Sequence, residues 1–230
     1  MAIQRLTLTQ IETAILQNLG YSASTAAPWT TSANLYLRIN DYVQRLPQKV
    51  SALASQLRKE GVELPYTGIP RFDMWRSSAT LTATAGSSTV HFPADYDQYI
   101  SFWDATNSAP IYPVDNTSRY HLDILKKKSA GPPEAIEIGG FVSSSGWVRE
   151  GTLYPATIAG TTPSITLEYW RVPASMSLGT DSPDLDPKYE SIAVFGPIVD
   201  LSRTTGKEHE RFMLIEKEML SEMAMTARGM

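Results

Sequence analysis

The spacing of apolar residues changes twice along this 230-residue chain, and that change constrains the fold more than any other feature of the sequence. Near both ends apolar residues recur every three or four positions, which is typical of amphipathic helices. In the middle they alternate with polar residues, which is typical of strands with one buried face. The pattern therefore predicts an α+β chain in which helices flank a β unit.

Two helices are predicted in the N-terminal part. Thr7 and Gln10 have capping-box spacing at the start of the first helix, and Gly20 stands where a C-cap belongs. The second helix keeps its apolar phase across Pro47, so we expect a kink there rather than a break, and an end at Gly61. Its apolar stripe consists of Leu35, Ile39, Val43, Leu46, Val50, Leu53 and Leu57.

Two more helices are predicted after a linker rich in Ser, Asp and Pro. Asp186 and Pro187 have the N-cap and first-turn preferences of a helix start, and Pro197 should make that helix short or bent. The last helix spans about 208–225, with the stripe Phe212, Ile215, Met219 and Met223. Because exposed stripes cost about 25 cal/mol per Å², we expect all four helices to close into one bundle.

The middle of the chain is predicted to be an inserted antiparallel β unit, either a small sandwich or a half-barrel. Residues 79–85 and 89–92 flank Gly-Ser-Ser and predict a hairpin. Further strands are expected at 99–103, 111–114, 135–138, 152–154 and 165–172. The expected domains are a helical hairpin over 1–68, a β domain over 69–175, and C-terminal helices with a tail over 176–230.

The composition offers little reactive chemistry. The absence of cysteine excludes disulfides, cysteine nucleophiles and cysteine-held metal sites. A net charge of −4 disfavours a general nucleic-acid binder, which needs a basic surface. No apolar run reaches the ~18 residues of a membrane helix, and the N-terminus lacks the basic flank and apolar core of a signal peptide.

The three histidines, His91, His121 and His209, fall in a predicted strand, loop and helix. None has the i, i+4 partner of a helical metal pair, so no metal site or cofactor is expected. A Ser–His–Asp triad stays open, because triads assemble from distant positions, but no serine lies in a G-x-S-x-G elbow.

Acidic and aromatic residues leave two other functions open. A glycan or peptidoglycan hydrolase would need a carboxylate pair, although turns and helix caps explain the same residues. A sugar-binding platform would need exposed aromatics, although core positions are the commoner explanation. The basic run Lys126–Lys128 is expected to be a solvated loop. The residues concerned are Asp95, Asp97, Asp181, Asp184 and Asp186, and Trp75, Trp103, Trp147 and Trp170.

Methionine is concentrated near the C-terminal end. Met219 and Met223 fit a helix core, where methionine fills gaps. Met225 and Met230 lie at or beyond the expected helix end, where flexible thioethers suit a groove on a partner. The tail from Thr226 onward has no reason to be ordered alone.

The order of these elements and four local strings resemble the head-to-tail adaptor (connector or neck) proteins of tailed bacteriophages. The resemblance runs from about residue 5 to about residue 225, and Pro47 and Pro197 depart from the family's helices. The strings are TLTQIETAILQNLG, LYLRINDYVQRLPQKV, STVHFPADYDQYISFWD, and the stretch from GTLYP through EYWRVP and LDPKYE to VDLSR.

The resemblance implies a structural virion protein without catalytic residues. Such proteins form a ring, commonly dodecameric, that docks on the portal, receives the tail or the next neck protein, and lets dsDNA pass. The protein would be made in the host cytoplasm and reside in the virion neck, away from any membrane. A C-terminal segment reaching into the portal makes these the expected partner-binding residues: Met219, Met223, Met225, Arg228 and Met230.

Overall fold

Five α-helices and nine β-strands occur in the part of the chain that the computed structural model describes. That part comprises residues 5–21, 32–67, 69–83, 87–114, 119–143, 146–158, 160–205 and 209–229. The helices are α1 (Leu8–Asn18), α2 (Ser32–Lys59), α3 (Arg119–Lys127), α4 (Ile192–Thr205) and α5 (His209–Thr226). The strands are β1 (Pro70–Arg71), β2 (Arg76–Thr82), β3 (Thr89–His91), β4 (Tyr96–Asp104), β5 (Ala109–Val114), β6 (Ala135–Ser143), β7 (Gly146–Tyr154), β8 (Ser164–Arg171) and β9 (Arg228–Gly229). The predicted α+β class is confirmed.

The chain divides into two compact units. The helical unit consists of Met1–Trp75 and Pro173–Met230, and the β unit consists of Arg76–Val172. The β unit is therefore continuous in sequence, whereas the helical unit is made from both ends of the chain.

The predicted caps of the two N-terminal helices are confirmed. The Thr7 hydroxyl accepts a hydrogen bond from the Gln10 N–H (3.3 Å), and the Gln10 side chain accepts one from the Thr7 N–H (2.8 Å). Gly20 and Gly61 have φ of 74° and 84°, the left-handed region that glycine adopts without strain. The Tyr21 N–H donates to the Leu16 carbonyl at 2.8 Å, and the Val62 N–H donates to the Leu57 carbonyl at 2.9 Å. Each bond reaches five residues back and completes a Schellman cap.

Neither internal proline divides its helix. Pro47 lies inside α2, which runs for 28 residues, and Pro197 lies inside α4, which runs for 14. The expected continuity across Pro47 is confirmed, and Pro197 does not cut α4 to a short helix.

One hydrophobic core is shared by α1, α2, α4 and α5. Helix α4 is the most enclosed of the four and contacts each of the others. Its buried residues are Ile192, Ala193, Val194, Ile198, Val199 and Leu201. The two N-terminal helices therefore cover their stripes against helices from the other end of the chain.

Tyr42 of α2 packs directly against the backbone of α4 at Gly196. A Cβ atom at position 196 would lie 1.8 Å from Tyr42 Cζ, far inside van der Waals contact. Glycine is required here by the close approach of a buried ring, because any side chain would occupy the space that the ring fills.

The β unit is built on one seven-stranded sheet, in the order β2-β8-β4-β5-β6-β7-β3. Every neighbouring pair is antiparallel except β5 and β6, which are parallel. The edge strands β2 and β3 approach each other, so the sheet is nearly closed. Alternate residues such as Ile165 and Leu167 of β8 point into its core. The chain enters and leaves this unit through neighbouring strands, since Arg76 of β2 pairs with Trp170 of β8.

The predicted hairpin over 79–85 and 89–92 is wrong. Strand β2 pairs with β8 and strand β3 pairs with β7, so the two strands stand at opposite ends of the sheet order. The Gly-Ser-Ser turn signal is local. Strand β8 pairs with all seven residues of β2, whereas β3 has only three residues and could not pair along the whole of β2.

Helix α3 lies where the sequence predicted a loop. A parallel pair of strands cannot be joined by a tight turn, and α3 is part of the crossover between β5 and β6. Its Leu125 is buried with Val114 and Ala135 in a small second core. The expectation of a wholly antiparallel unit therefore fails at this one pair.

We expect Gly196→Ala to lower the stability of the helical unit. The added methyl group must displace the Tyr42 ring, and overpacking of this kind costs about 1–3 kcal/mol or more. Thermal unfolding followed by circular dichroism should show a clearly lower Tm. Gly139→Ala in β6 is the control, because nothing lies within 4 Å of its Cβ position. Equal Tm values for the two variants would contradict the close approach.

Candidate assembly surface

A buried hydrogen-bonded cluster between α2 and α5 fixes the position of α5 in the helical unit. The Tyr42 hydroxyl donates to Glu216 Oε1 at 2.6 Å, and Lys49 Nζ donates to the same oxygen at 3.0 Å. The Lys49 ammonium also lies 4.4 Å from the centroid of the Tyr42 ring. The buried carboxylate therefore has both a cation and a neutral donor, as a buried charge requires. Burial, then the charge of Glu216, raises the pKa of Tyr42 far above its ordinary value.

The predicted partner-binding residues lie in different environments. Met223 is fully buried in the helical core, and Met219 is partly buried against it. Met225 is 47% exposed, at the last turn of α5. Arg228 belongs to β9, which pairs with β1, and Met230 lies outside the described residues.

The chain after α5 is held by tertiary contacts. Ala227 is buried, and its N–H donates to the Met223 carbonyl at 3.0 Å. The hydroxyls of Tyr189 and Thr226 bond to each other, and β9 pairs with β1. The tail has no reason for order by itself, and its described part up to Gly229 is held by the rest of the helical unit.

Several large apolar side chains of the helical unit are exposed. On α5, Leu214 is 69% exposed, and Met225 follows eleven residues later, about three turns along the same side of the helix. Leu37 of α2 is 67% exposed, and Leu178, between β8 and α4, is 63% exposed. Sequence reasoning did not select Leu37, Leu178 or Leu214. The sequence does indicate exposure for two of them, because Leu37 and Leu214 lie off the apolar stripes of their helices.

His209 and Ser202 form a Ser–His pair whose geometry opposes nucleophilic catalysis. Arg203 Nε donates to His209 Nε2 at 3.2 Å, so the other ring nitrogen, Nδ1, carries the proton of the neutral ring. His209 Nδ1 then donates to Ser202 Oγ at 2.8 Å, whereas a general base would accept from it. The buried Ser202 hydroxyl donates to the Val199 carbonyl at 3.1 Å. The other histidines are His91, exposed in β3, and His121, in α3 with its side chain outside the described part.

The acidic residues considered for hydrolysis have structural partners. Asp95 accepts a hydrogen bond from a tyrosine hydroxyl at 3.0 Å, and Asp184 accepts one from a backbone N–H at 2.9 Å. Asp186 accepts a backbone N–H at 3.1 Å and caps the 3-10 turn Pro187–Tyr189. The capping role of Asp186 is confirmed, but the α-helix expected to start there begins at Ile192 instead. Asp181 accepts two backbone N–H groups, and Asp97 lies in β4. Turn and cap roles thus account for most of this set.

The tryptophans do not present a common surface in the described part of the chain. Trp75 and Trp170 are buried, and Trp103 is 44% exposed. The side chain of Trp147 in β7 lies outside that part. Among the tryptophan side chains described, Trp103 alone is exposed, so these side chains do not form a platform of several rings.

Lys126 and Lys127 end α3 and Lys128 follows it, so the expected loop is wrong for the first two, while the expected exposure to solvent is confirmed for all three. The Lys126 ammonium lies 5.4 Å from the centroid of the Tyr154 ring, and Lys128 pairs with Glu134 at 2.7 Å. Two of the three lysine ammonium groups of the run therefore make contacts within the β unit.

Neither metal-binding nor membrane-spanning features occur in the described ranges. No group of three or more His, Cys, Asp or Glu side chains there could hold a metal ion. None of the helices described is long and apolar enough to cross a membrane.

In the described part of the chain, most of the acidic residues considered above serve caps and turns, and several leucines and methionines are exposed off the core stripes. Residues 6–196 match the model of the family described as SU10 adaptor protein. The chain therefore belongs to the SU10 adaptor protein family, a family of phage head-to-tail adaptors, and the resemblance found in its sequence is confirmed. None of the curated proteins matches it.

We expect Tyr42→Phe to lower the free energy of unfolding at pH 7. At high pH we expect the free energy of unfolding of this variant to fall less steeply than that of the wild type. The hydrogen bond to a charged group is lost, which costs about 1.5–3 kcal/mol. In the wild type the unfolded chain releases the Tyr42 proton above its ordinary pKa of 10.0, whereas the folded chain retains it. The free energy of unfolding must therefore fall as pH rises above about 10.

Urea unfolding of both proteins from pH 8 to 11, followed by the helical circular-dichroism signal, checks this. Tyr21→Phe, at a partly buried tyrosine just after α1, is the control for the removal of a phenol. Parallel pH profiles for wild type and Tyr42→Phe would show that Tyr42 titrates alike in both states.

Proposed function

We propose that this protein is the ring-forming head-to-tail adaptor of a tailed phage. A dodecameric ring docks on the portal of the filled capsid and receives the tail or the next neck protein. Membership of the SU10 adaptor family, matched over residues 6–196, is the observation that carries this proposal. The fold supports it through the large apolar side chains exposed on the helical unit.

In this proposal the helical unit acts as a four-helix bundle and contributes contacts to the ring. Leucines exposed on a rigid helix are suited to an interface core, where burial of apolar area stabilises the complex. Leu37 and Leu214 are the two most exposed large apolar residues on its helices.

The portal contact is assigned to the C-terminal end of α5 and the residues after it. Met225 is exposed and makes the direct contact, together with Arg228 and Met230. Met219 and Met223 act from within, because they pack α5 against the helical core and so set the direction in which its end points.

DNA passes through the ring without being held. A net charge of −4 gives the chain no excess of cations to release counterions from phosphates. A mildly acidic surface repels the DNA backbone, which keeps the genome mobile in a channel.

The test is co-sedimentation with purified portal protein. We expect the wild type to sediment with portal, and Met225→Asp to weaken that binding at least about tenfold, as for an interface anchor. Gln48→Asp, at an exposed position of α2, introduces the same charge away from α5 and should bind normally. Circular dichroism should show both variants folded, because both positions are exposed.

A wild-type protein that never sediments with portal at any ratio would refute the proposed function. Normal binding by Met225→Asp would refute the assignment of the contact to the end of α5 and leave the adaptor function standing.

A further inference from the structure

Leu178 is held at the tip of a rigid turn in residues 173–186, the segment that we call the strap. The Asp181 carboxylate accepts hydrogen bonds from the N–H groups of Ser177 (2.7 Å) and Leu178 (2.8 Å), and the Asp181 N–H donates to the Leu178 carbonyl (3.0 Å). The bond from Leu178, then that from Ser177, lowers the pKa of Asp181. The turn is therefore closed from both sides while the Leu178 side chain remains 63% exposed.

The strap is also bonded to α1. The N–H groups of Leu8 and Thr9 donate to the carbonyls of Asp181 (2.7 Å) and Gly179 (3.0 Å). These are helix-terminal donors that would otherwise need water. Position 178 is thus held by backbone bonds on its C-terminal side as well as by its own turn.

Helix α2 fixes the other part of the strap. Asn40 donates to the Met176 carbonyl and accepts from the Met176 N–H, both at 2.8 Å, and Gln44 donates to Ser175 at 2.7 Å. The strap therefore runs antiparallel to α2. Leu178 comes two residues after Met176 on the strap, and Leu37 lies one turn before Asn40 on α2. The two exposed leucines lie at the same end of this contact.

A rigid, exposed leucine has the properties of an interface anchor. Little conformational entropy is lost when a side chain on a braced turn becomes buried, so more of its transfer free energy appears as affinity. The neighbours Ser177 and Gly179 are uncharged, and the nearby Asp181 carboxylate is already engaged by two backbone N–H groups.

The β unit contains a pocket with matching chemistry. Its volume is about 120 Å³, and none of its lining residues is charged. Several of its polar groups have partners: the Thr161 hydroxyl donates to the Ile158 carbonyl (2.7 Å), and the Thr106 hydroxyl accepts from the Ser164 N–H (3.1 Å). Most of the exposed lining is apolar, and Pro132, Pro133, Ile158 and Pro163 belong to it. Such a pocket suits an aliphatic side chain better than a sugar or a phosphate.

We infer that Leu178 of one copy of this protein inserts into the β-unit pocket of a second copy. The inference rests on the proposed ring function and names the contact that builds the ring. Knob and pocket are different surfaces of one chain, so the contact is heterologous, and a heterologous contact whose rotation closes gives a ring. The pocket is close in size to the ~150 Å³ cavities that accept a benzene-sized group.

Cysteine cross-linking tests the contact, because the natural chain has no cysteine. The double variant Leu178→Cys/Ile158→Cys, assembled on portal or concentrated alone, should give a ladder of covalent multimers on oxidation. A ladder that disappears on reduction supports the inference. The control pair Leu178→Cys/Ser78→Cys places the second thiol at an exposed position of β2, outside the pocket, and should stay monomeric.

No ladder from the double variant under either condition would overturn the inference. If that variant still sediments with portal, the adaptor function stands and only the knob-and-pocket contact fails. If wild type also fails to sediment with portal, both proposals fall.

Leu178→Asp provides a second, independent measurement. We expect self-association, measured by analytical ultracentrifugation with and without portal, to weaken at least about tenfold, while the circular-dichroism spectrum stays unchanged. Ala52→Asp, at an exposed position of α2 fifteen residues beyond Leu37, carries the same charge and should assemble normally. Equal assembly of the two variants would overturn the inference.

Discussion

The contact of Tyr42 with α4 at Gly196 joins the two ends of the chain, and the helical unit depends on it. The ring lies against the α4 backbone, while its hydroxyl and Lys49 meet the buried Glu216 of α5. Tyr42 and Glu216 are 174 residues apart in the sequence. Such contacts carry a large loop-closure cost and reward folding only when both ends are present. The intervening sheet shortens that loop once it has formed.

Burial is distributed unevenly around this contact. Helix α4 is enclosed, with three other helices around it, whereas α2 and α5 each expose a leucine off their core stripe. These leucines contribute no burial to the fold of the single chain, because they stay in contact with water. Under the proposed ring function neighbouring copies would bury them, which also agrees with a charged fraction of only 19%.

Local signals in the sequence predicted local structure well. The Thr7–Gln10 capping box, the glycine caps at Gly20 and Gly61, and the Asp186 cap all depend on residues close in sequence. Strand pairing did not follow from such signals, because the partner of β2 is β8, about 90 residues away. Helix α3 was missed for a related reason, since its need arises from the parallel pairing of β5 with β6. In the candidate surface, the three- and four-residue spacing of the α5 stripe could place Met223 in the core. The exposure of Leu178 depends instead on the strap's hydrogen bonds to α1 and α2.

The pairing of Arg76 with Trp170 has a consequence for how such a protein can change over time. The β unit is entered and left through adjacent strands, which lie about 5 Å apart. A module joined by two such closely spaced ends can be lengthened, shortened or exchanged for another without altering the path of the host chain on either side. The β unit is thus a cassette, which can vary in length or content while the path of the chain through the helical unit is kept.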